Sequence, residues 1–286
     1  ILQKNIRDVI GDSVASNVEK LRDDDLHTLF EKYSTVLTEN QTLYFGVKKQ
    51  VDDMSLLLGV IASLLGKNVF FEISRPNIIY IQNLIKKKEF VFLHHTAGWQ
   101  NPFNTIDHWG RDTRGAVATE FVLGGQSVKG NDDKHDGVMV QAFPEGCYGW
   151  HLGKNGSQHM HTHSVGVEVN NFGYIKDGKT YAGTKVHESQ IVTLDKPFRG
   201  YTTWHRYSDK QIEAIRLWLL WIGERDGIDI RAGLPALVKE KGAAAFEFNT
   251  DAYYGRVKGT WTHTNTRKDK SDMFPQQELL DMLTSL

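Results

Sequence analysis

With 12 histidines and 35 acidic residues, the chain is bound to contain trios able to hold a metal, so residue type alone carries little weight. Position relative to strands is the better filter. His94 and His95 close the strongly apolar run that starts at Phe90, and Glu168 stands inside the strand-like stretch Ser164 to Asn170. His263 ends the stretch Arg256 to Thr262, and Lys270 and Asp272 follow it after a polar turn. Two neutral imidazoles and one carboxylate are a ligand set for catalytic zinc, with the fourth position left for water. His94 and His263 are 169 positions apart, so their meeting depends wholly on the fold; the nine from His263 to Asp272 permit a turn that returns the carboxylate to the same ion.

A buried carboxylate is costly unless it is paired, hydrogen-bonded or near a metal. Glu168, between Val167 and Val169, therefore either faces solvent or has a partner; polar residues gathered at the same end of several strands favour the partner, because sites in open sheets form where strand ends converge. His159, His161 and His163 alternate as residues sharing one strand face would. Their place just before Glu168 favours groove lining or hydrogen-bonded surface over a second metal. Cys147, the one cysteine, lies in a loop among Pro144, Gly146 and Gly149 with no fixed partner and reads as a structural thiol.

The elements that must position these residues alternate from residue 89 onward. Phe90 to His94 is expected as a central strand, and Ala116 to Leu123, Val138 to Phe143 and Val165 to Val169 as further strands. Thr105 to Trp109 is expected as a short helix. Ser208 with Gln211 is a capping-box pattern opening a helix whose face is Ile212, Ile215, Leu219 and Ile222 and which ends near Gly223. A last helix covers Gln276 to Leu283. The pattern predicts an α/β fold, a mixed central β-sheet flanked by helices.

Residues 1–88 read differently and are expected to form a smaller N-terminal α+β module. Asp12 or Ser13 could cap a short helix; Asp23 to Tyr33 and Val51 to Leu65 have helical spacing; Thr42 to Val47 and Val69 to Ile73 are rich in β formers; and Pro76 opens a segment through Ile85. None carries a constellation that asks for chemistry, so an accessory or attachment role is expected, with residues 89–286 as the catalytic domain. Lys86, Lys87 and Lys88 read as a solvated boundary.

The formal net charge of -1 gives no field to draw a polyanion, which argues against nucleic acid as a partner. The most apolar stretch, Leu56 to Leu65, falls well short of the roughly 20 residues that span a bilayer. The sequence starts at Ile1 without a basic-then-apolar leader, so the address that would direct export is expected to lie outside it.

Five pieces then occur in one order: Val91-Phe92-Leu93-His94-His95-Thr96-Ala97, Thr119-Glu120-Phe121-Val122-Leu123, Gly149-Trp150-His151-Leu152-Gly153, Ser164-Val165-Gly166-Val167-Glu168-Val169, and His263-Thr264-Asn265 continued by Arg267 to Asp272. In these the chain resembles the zinc amidase family that includes the phage lysozyme-amidases, the bacterial N-acetylmuramoyl-L-alanine amidases and the animal peptidoglycan-recognition proteins, over about residues 89 to 283. The resemblance implies Zn2+ held by His94, His263 and Asp272. It implies Glu168 acting on the water, Lys270 stabilising negative charge, and Trp150 and His151 beside the substrate. His95, Trp99, His163 and Asn170 complete the candidate groove.

The implied activity is hydrolysis of the amide bond between N-acetylmuramic acid and L-alanine in peptidoglycan. It would act at the bacterial cell wall, secreted or periplasmic, or delivered by phage. The alternatives are a non-catalytic peptidoglycan-binding module and a component of a phage or secretion assembly attached through residues 1–88. The chain departs from the family in carrying Thr119 where many relatives have tyrosine, and Met273 and Phe274 where a Pro-Gly tends to follow the metal aspartate, after an interval one residue shorter.

Overall fold

The structure, a computed structural model, describes residues 87–153 and 158–286. The elements expected between residues 12 and 85 lie outside the described residues.

Strand β1 (Phe90–His95) is buried along its whole length, as its unbroken apolar run predicts for a strand covered on both faces. It pairs in parallel with β4 (Ser164–Val169) on one side and β7 (Gly259–Thr262) on the other. Beyond β4 lie β2 (Phe121–Leu123), parallel to it, and β3 (Met139–Gln141), antiparallel to β2. The order β3-β2-β4-β1-β7 is the expected mixed sheet. Its four parallel strands end at one edge, at Leu123, Val169, His95 and Thr262.

Both faces are covered. On one, α1 (Pro102–Trp109) sets Ile106 against Val122 and Val140. Asn101 caps it by accepting from the Phe103 amide, and Pro102 sits at its first position, where the missing N–H costs nothing. On the other face, α3 (Asp209–Asp226) buries Ile212, Ile215, Leu219 and Ile222; α7 (Gln277–Ser285) packs against it, and α4 (Leu234–Lys241) packs against α7. Each fully buried aliphatic side chain on α3 contributes about 1.5 to 3 kcal/mol. The Ser208–Gln211 capping box forms. The helix runs past Gly223 and stops at Gly227, whose φ of 65° a glycine adopts without strain; at Gly223 a side chain would press on Ile230.

Several strands are shorter than their hydrophobic patterns predict. Ala116 and Ala118 sit against the chain at Gly149–Trp150, with the Trp150 amide donating to Ala116 O, and only Phe121–Leu123 reaches the ladder. A hairpin of β5 (Ile191–Phe198) and β6 (Tyr201–His205) was not read from the sequence. The alternating histidines are not on a strand: His159 and His161 lie in the short helix α2 (Gln158–Thr162), where Met160 is buried close under Gly255 and Phe90. Lys88, expected at a solvated boundary, is buried instead, its Nζ donating to Cys147 O (2.7 Å) and Thr162 O (3.1 Å). No helix among the described residues is long and apolar enough to cross a membrane.

At the end of α3, Arg225 donates to buried Glu120 at 2.6 Å and to Asp226 at 2.7 Å, while Gln141 donates to Glu120 at 3.0 Å. Removing one partner of such a pair strands a buried charge, which costs about 3 to 5 kcal/mol. Urea denaturation of Arg225→Met should show a loss of that size, and adding Glu120→Met should restore part of it. A single-variant loss under about 1 kcal/mol would contradict a structural role for the pair.

Candidate metal centre

The register Leu93↔Thr262 between β1 and β7 ends one residue before His94 and His263. His263 opens α6 (His263–Thr266), fixed by Asn265, whose Oδ1 accepts from the Thr262 amide and whose Nδ2 donates to Ala245 O and Glu247 O. The chain then turns back, and the Thr264 amide donates to Asp272 O. Met273 and Phe274, the pair that departs from the family pattern, are fully buried, and Phe274 is stacked between Trp204 and Tyr207 with both ring centroids at 4.5 Å. This aromatic stack anchors the turn that carries Asp272.

His94, His263 and Asp272 each offer one ligand atom, all within 4.8 Å of one another, and among the described residues they form the one such group. Asp272 Oδ2 lies 3.0 Å from His263 Nδ1 and 3.4 Å from His94 Nδ1. His94 Nδ1 is buried with no hydrogen-bond partner, a nitrogen that a cation would satisfy. The remaining ring nitrogens are engaged: His94 Nε2 with His151 Nδ1 at 2.9 Å, and His263 Nε2 with Leu152 O at 3.3 Å. Supported imidazoles with their Nδ1 atoms converging on a carboxylate, to which His263 Nδ1 is already hydrogen-bonded, fit zinc in donor type and number.

Burial drives the His94 pKa down to about 4, with Asp272 opposing that shift and His263 adding to it. The ring is therefore neutral, as a ligand must be, near pH 7. Burial alone would raise Asp272, but His263 beside it, through charge and hydrogen bond, and His94 hold its carboxyl well below the usual range.

Glu168 is the register partner of His94, and Val122 is the partner of Glu168, so the three side chains stand on one face of the sheet. Its Oε2 is buried and unpartnered. Burial and then the Asp272 charge raise its pKa well above the ordinary value, and the Lys270 ammonium opposes this. The structure thus brings Glu168 to the cluster's side of the sheet, with the Lys270 charge acting on both Glu168 and His94.

The groove candidates divide. Trp99 and Trp150 are exposed, Trp99 edge-on to Phe172 with Lys129 over its ring, and Trp150 edge-on to His161 and Tyr148. His95 is buried on the opposite side of β1, where its Nδ1 is hydrogen-bonded to Tyr207 Oη at 2.8 Å and its ring packs on Phe274. Asn170 is buried, its Oδ1 accepting from Thr105 Oγ1. His151 is turned inward. His163 stacks on His159 just before β4, five residues and so roughly 16 Å along the chain from Glu168, and is not brought to the cluster. Thr119 donates its hydroxyl to Phe121 O. Burial pushes the Cys147 thiol up to about 11, which suits an inert side chain. Ser164, Gly166 and Leu152, which surround the imidazoles, stand inside the motifs quoted from the sequence, but their own chemistry is unremarkable in isolation and gave no sign of a role.

Three buried imidazoles give a pH prediction for the metal-free protein. Burial lowers His94 and His95 to about 4 and His205 to about 3, from an ordinary value of 6.5. The unfolded chain takes up these protons as pH falls below about 6.5, while the folded one resists them until about 4, so the stability present above pH 6.5 is lost through that window. The urea midpoint should fall steeply between pH 6.5 and 4, and replacing His205 with a neutral residue should flatten the slope. A midpoint constant across that range would exclude this account.

No protein-family model matches the chain, and no curated protein sequence matches it. Solved structures do. The N-acetylmuramyl-L-alanine amidase AmiD from E. coli, in complex with the substrate anhydro-N-acetylmuramic acid-L-Ala-D-gamma-Glu-L-Lys, is 20% identical, with 52% of this chain and 48% of that chain covered and a TM-score of 0.32. A selenomethionine derivative of AmpD is 13% identical over 70% of this chain and 87% of its own, with a TM-score of 0.34. AmpDh3 from Pseudomonas aeruginosa is 20% identical over 55% and 52%, with a TM-score of 0.31. The chain thus spans about half the length of the AmiD and AmpDh3 structures.

Proposed function

We propose that the chain is a zinc-dependent amidase that hydrolyses the bond between N-acetylmuramic acid and L-alanine in peptidoglycan. The observation that carries the reading is the convergence of His94, His263 and Asp272 within 4.8 Å, with Glu168 in register beside His94. The ordered motifs from Val91 to Asp272 that resemble the zinc amidases supply the substrate class. His94, His263 and Asp272 hold the ion, which when bound lowers the pKa of water and polarises a carbonyl as a Lewis acid.

This chain's own residues do the rest. Glu168 takes a proton from the attacking water and delivers it to the departing L-alanine amine, so that one carboxyl serves as base and then acid. Its raised pKa makes the carboxylate a stronger base than an exposed glutamate. Lys270 presents positive charge where the carbonyl oxygen gains negative charge, which is where preorganised charge lowers a barrier most. Trp99 and Trp150 offer exposed indole faces to the glycan or the peptide stem. A module that only bound peptidoglycan would have no use for a carboxylate with a buried, unpartnered oxygen on the sheet face of the metal ligands. Residues 1–88 act as an accessory or attachment segment in this reading.

Incubation with peptidoglycan, with and without a chelator, tests the proposal through the ends released. New L-alanine amino ends on intact glycan chains, absent when metal is removed, are expected. New reducing sugar ends would identify a glycan-cleaving enzyme instead.

A further inference from the structure

His151 lies in the Gly149–Gly153 motif next to an exposed tryptophan, which makes it look like a groove residue. Its surroundings do not fit that role. The ring is buried, with Nδ1 on His94 Nε2 at 2.9 Å and Nε2 on Ser164 Oγ at 2.8 Å. Neither ring nitrogen is left to meet a substrate.

We infer that His151, held by Ser164, is a positioning residue that fixes the tautomer and ring orientation of the metal ligand His94. The inference rests on the metal reading above and deepens it.

The argument is one of donors and acceptors. A neutral imidazole has one of each. As a ligand, His94 must leave Nδ1 bare toward Asp272 and His263, so its proton sits on Nε2 and is donated to His151 Nδ1. His151 then carries its own proton on Nε2 and donates it to Ser164 Oγ. The Ser164 hydroxyl donates onward to His161 O at 3.5 Å, and a carbonyl can only accept. Reversing the chain would put the proton on His94 Nδ1 and close that nitrogen to a cation.

The slot is built for the ring. Ser164, Gly166 and Glu168 alternate along β4 opposite Phe90, Phe92 and His94, and Phe92 meets the His151 ring edge-on at 5.8 Å. A Cβ on Gly166 would come within 3.1 Å of His151 Nδ1 and 2.8 Å of Thr119 Cγ2, so only glycine there leaves the imidazole room. The next residue repeats the function for the other ligand, since Leu152 O lies 3.3 Å from His263 Nε2. Two consecutive residues, His151 and Leu152, thus set the orientation of both imidazoles. Partners of this kind raise ligand basicity and hold the ring, and their loss costs about 10- to 100-fold in metal affinity or activity.

The test is zinc affinity of the full chain, measured by competition with a chromophoric chelator and so independent of hydrolysis. His151→Ala should weaken zinc binding about 10- to 100-fold, and His151→Asn, whose Oδ1 can accept in place of Nδ1, should recover most of that loss. At saturating zinc the KM for peptidoglycan fragments should stay within about twofold, because His151 supports a ligand and does not touch substrate. In the zinc-loaded parent, nitrogen NMR should show the His94 proton on Nε2. Far-UV circular dichroism verifies that each variant folds. Zinc affinity of His151→Ala equal to the parent's overturns the inference; so do equal losses in the Ala and Asn variants, or a raised KM with unchanged affinity. A parent that binds no zinc removes the metal reading and this inference together, whereas a parent that binds zinc but leaves peptidoglycan intact removes the amidase reading alone.

Discussion

Glu168→Gln should lower turnover on peptidoglycan by about two to four orders of magnitude, the usual contribution of a positioned general acid or base, while leaving zinc affinity within a few-fold. The substitution keeps shape and volume on β4 and removes only the ability to accept and return a proton. The side chain shares a sheet face with His94 through their register but lies outside the ligand group of His94, His263 and Asp272, which is why metal binding and turnover should separate. The buried, unpartnered Oε2 also means that the amide should be tolerated without loss of stability, since a neutral group replaces one that burial disfavours when charged. Single-turnover kinetics with zinc-saturated protein would decide the matter. Retention of more than a tenth of parental turnover would show that another group moves the proton.

Asp272→Asn should remove both zinc binding and hydrolysis. The parent should gain about 2.7 kcal/mol of stability when zinc is supplied at a hundred times its dissociation constant, and the variant should gain none. The carboxylate supplies the one negative charge in the ligand set and sits 3.0 Å and 3.4 Å from the two ring nitrogens. With asparagine, two neutral imidazoles are left to hold a divalent ion. Thermal unfolding with and without zinc, for parent and variant side by side, reads this directly. Equal zinc-induced stabilisation of the two would falsify the assignment of Asp272 as a ligand. The effect should also be confined to the metal site, because Met273 and Phe274, which anchor the turn, are untouched.

The central elements were legible because their signals are local. The apolar run Phe90 to Leu93, buried on both faces, reads as a central parallel strand, and the Ser208–Gln211 cap with its apolar stripe reads as α3. What the pattern missed has a common cause. Hydrophobic alternation marks faces but not partners, so Ala116 to Thr119 read as strand although its backbone is taken up by Gly149 and Trp150. The histidines at 159, 161 and 163 read as one strand face although the first two sit in a short helix. Lys88 read as solvated because charge predicts exposure, and two carbonyls brought in from Cys147 and Thr162 reversed that.

The identities of the groups able to do chemistry are carried by the sequence itself: which strands end in histidine, where a glutamate interrupts an apolar strand, and how closely a carboxylate follows His263. Their meeting is not. It required the order β3-β2-β4-β1-β7, which lays β4 and β7 on either side of β1 and so brings His94 and His263, 169 positions apart, to one edge. Which nitrogen of each histidine faces the carboxylate was equally a tertiary matter, decided by His151, Ser164 and Leu152 on the other side of the rings. Residue type fixes what a side chain can donate or accept; only packing against distant chain decides which of its atoms is left free to do so.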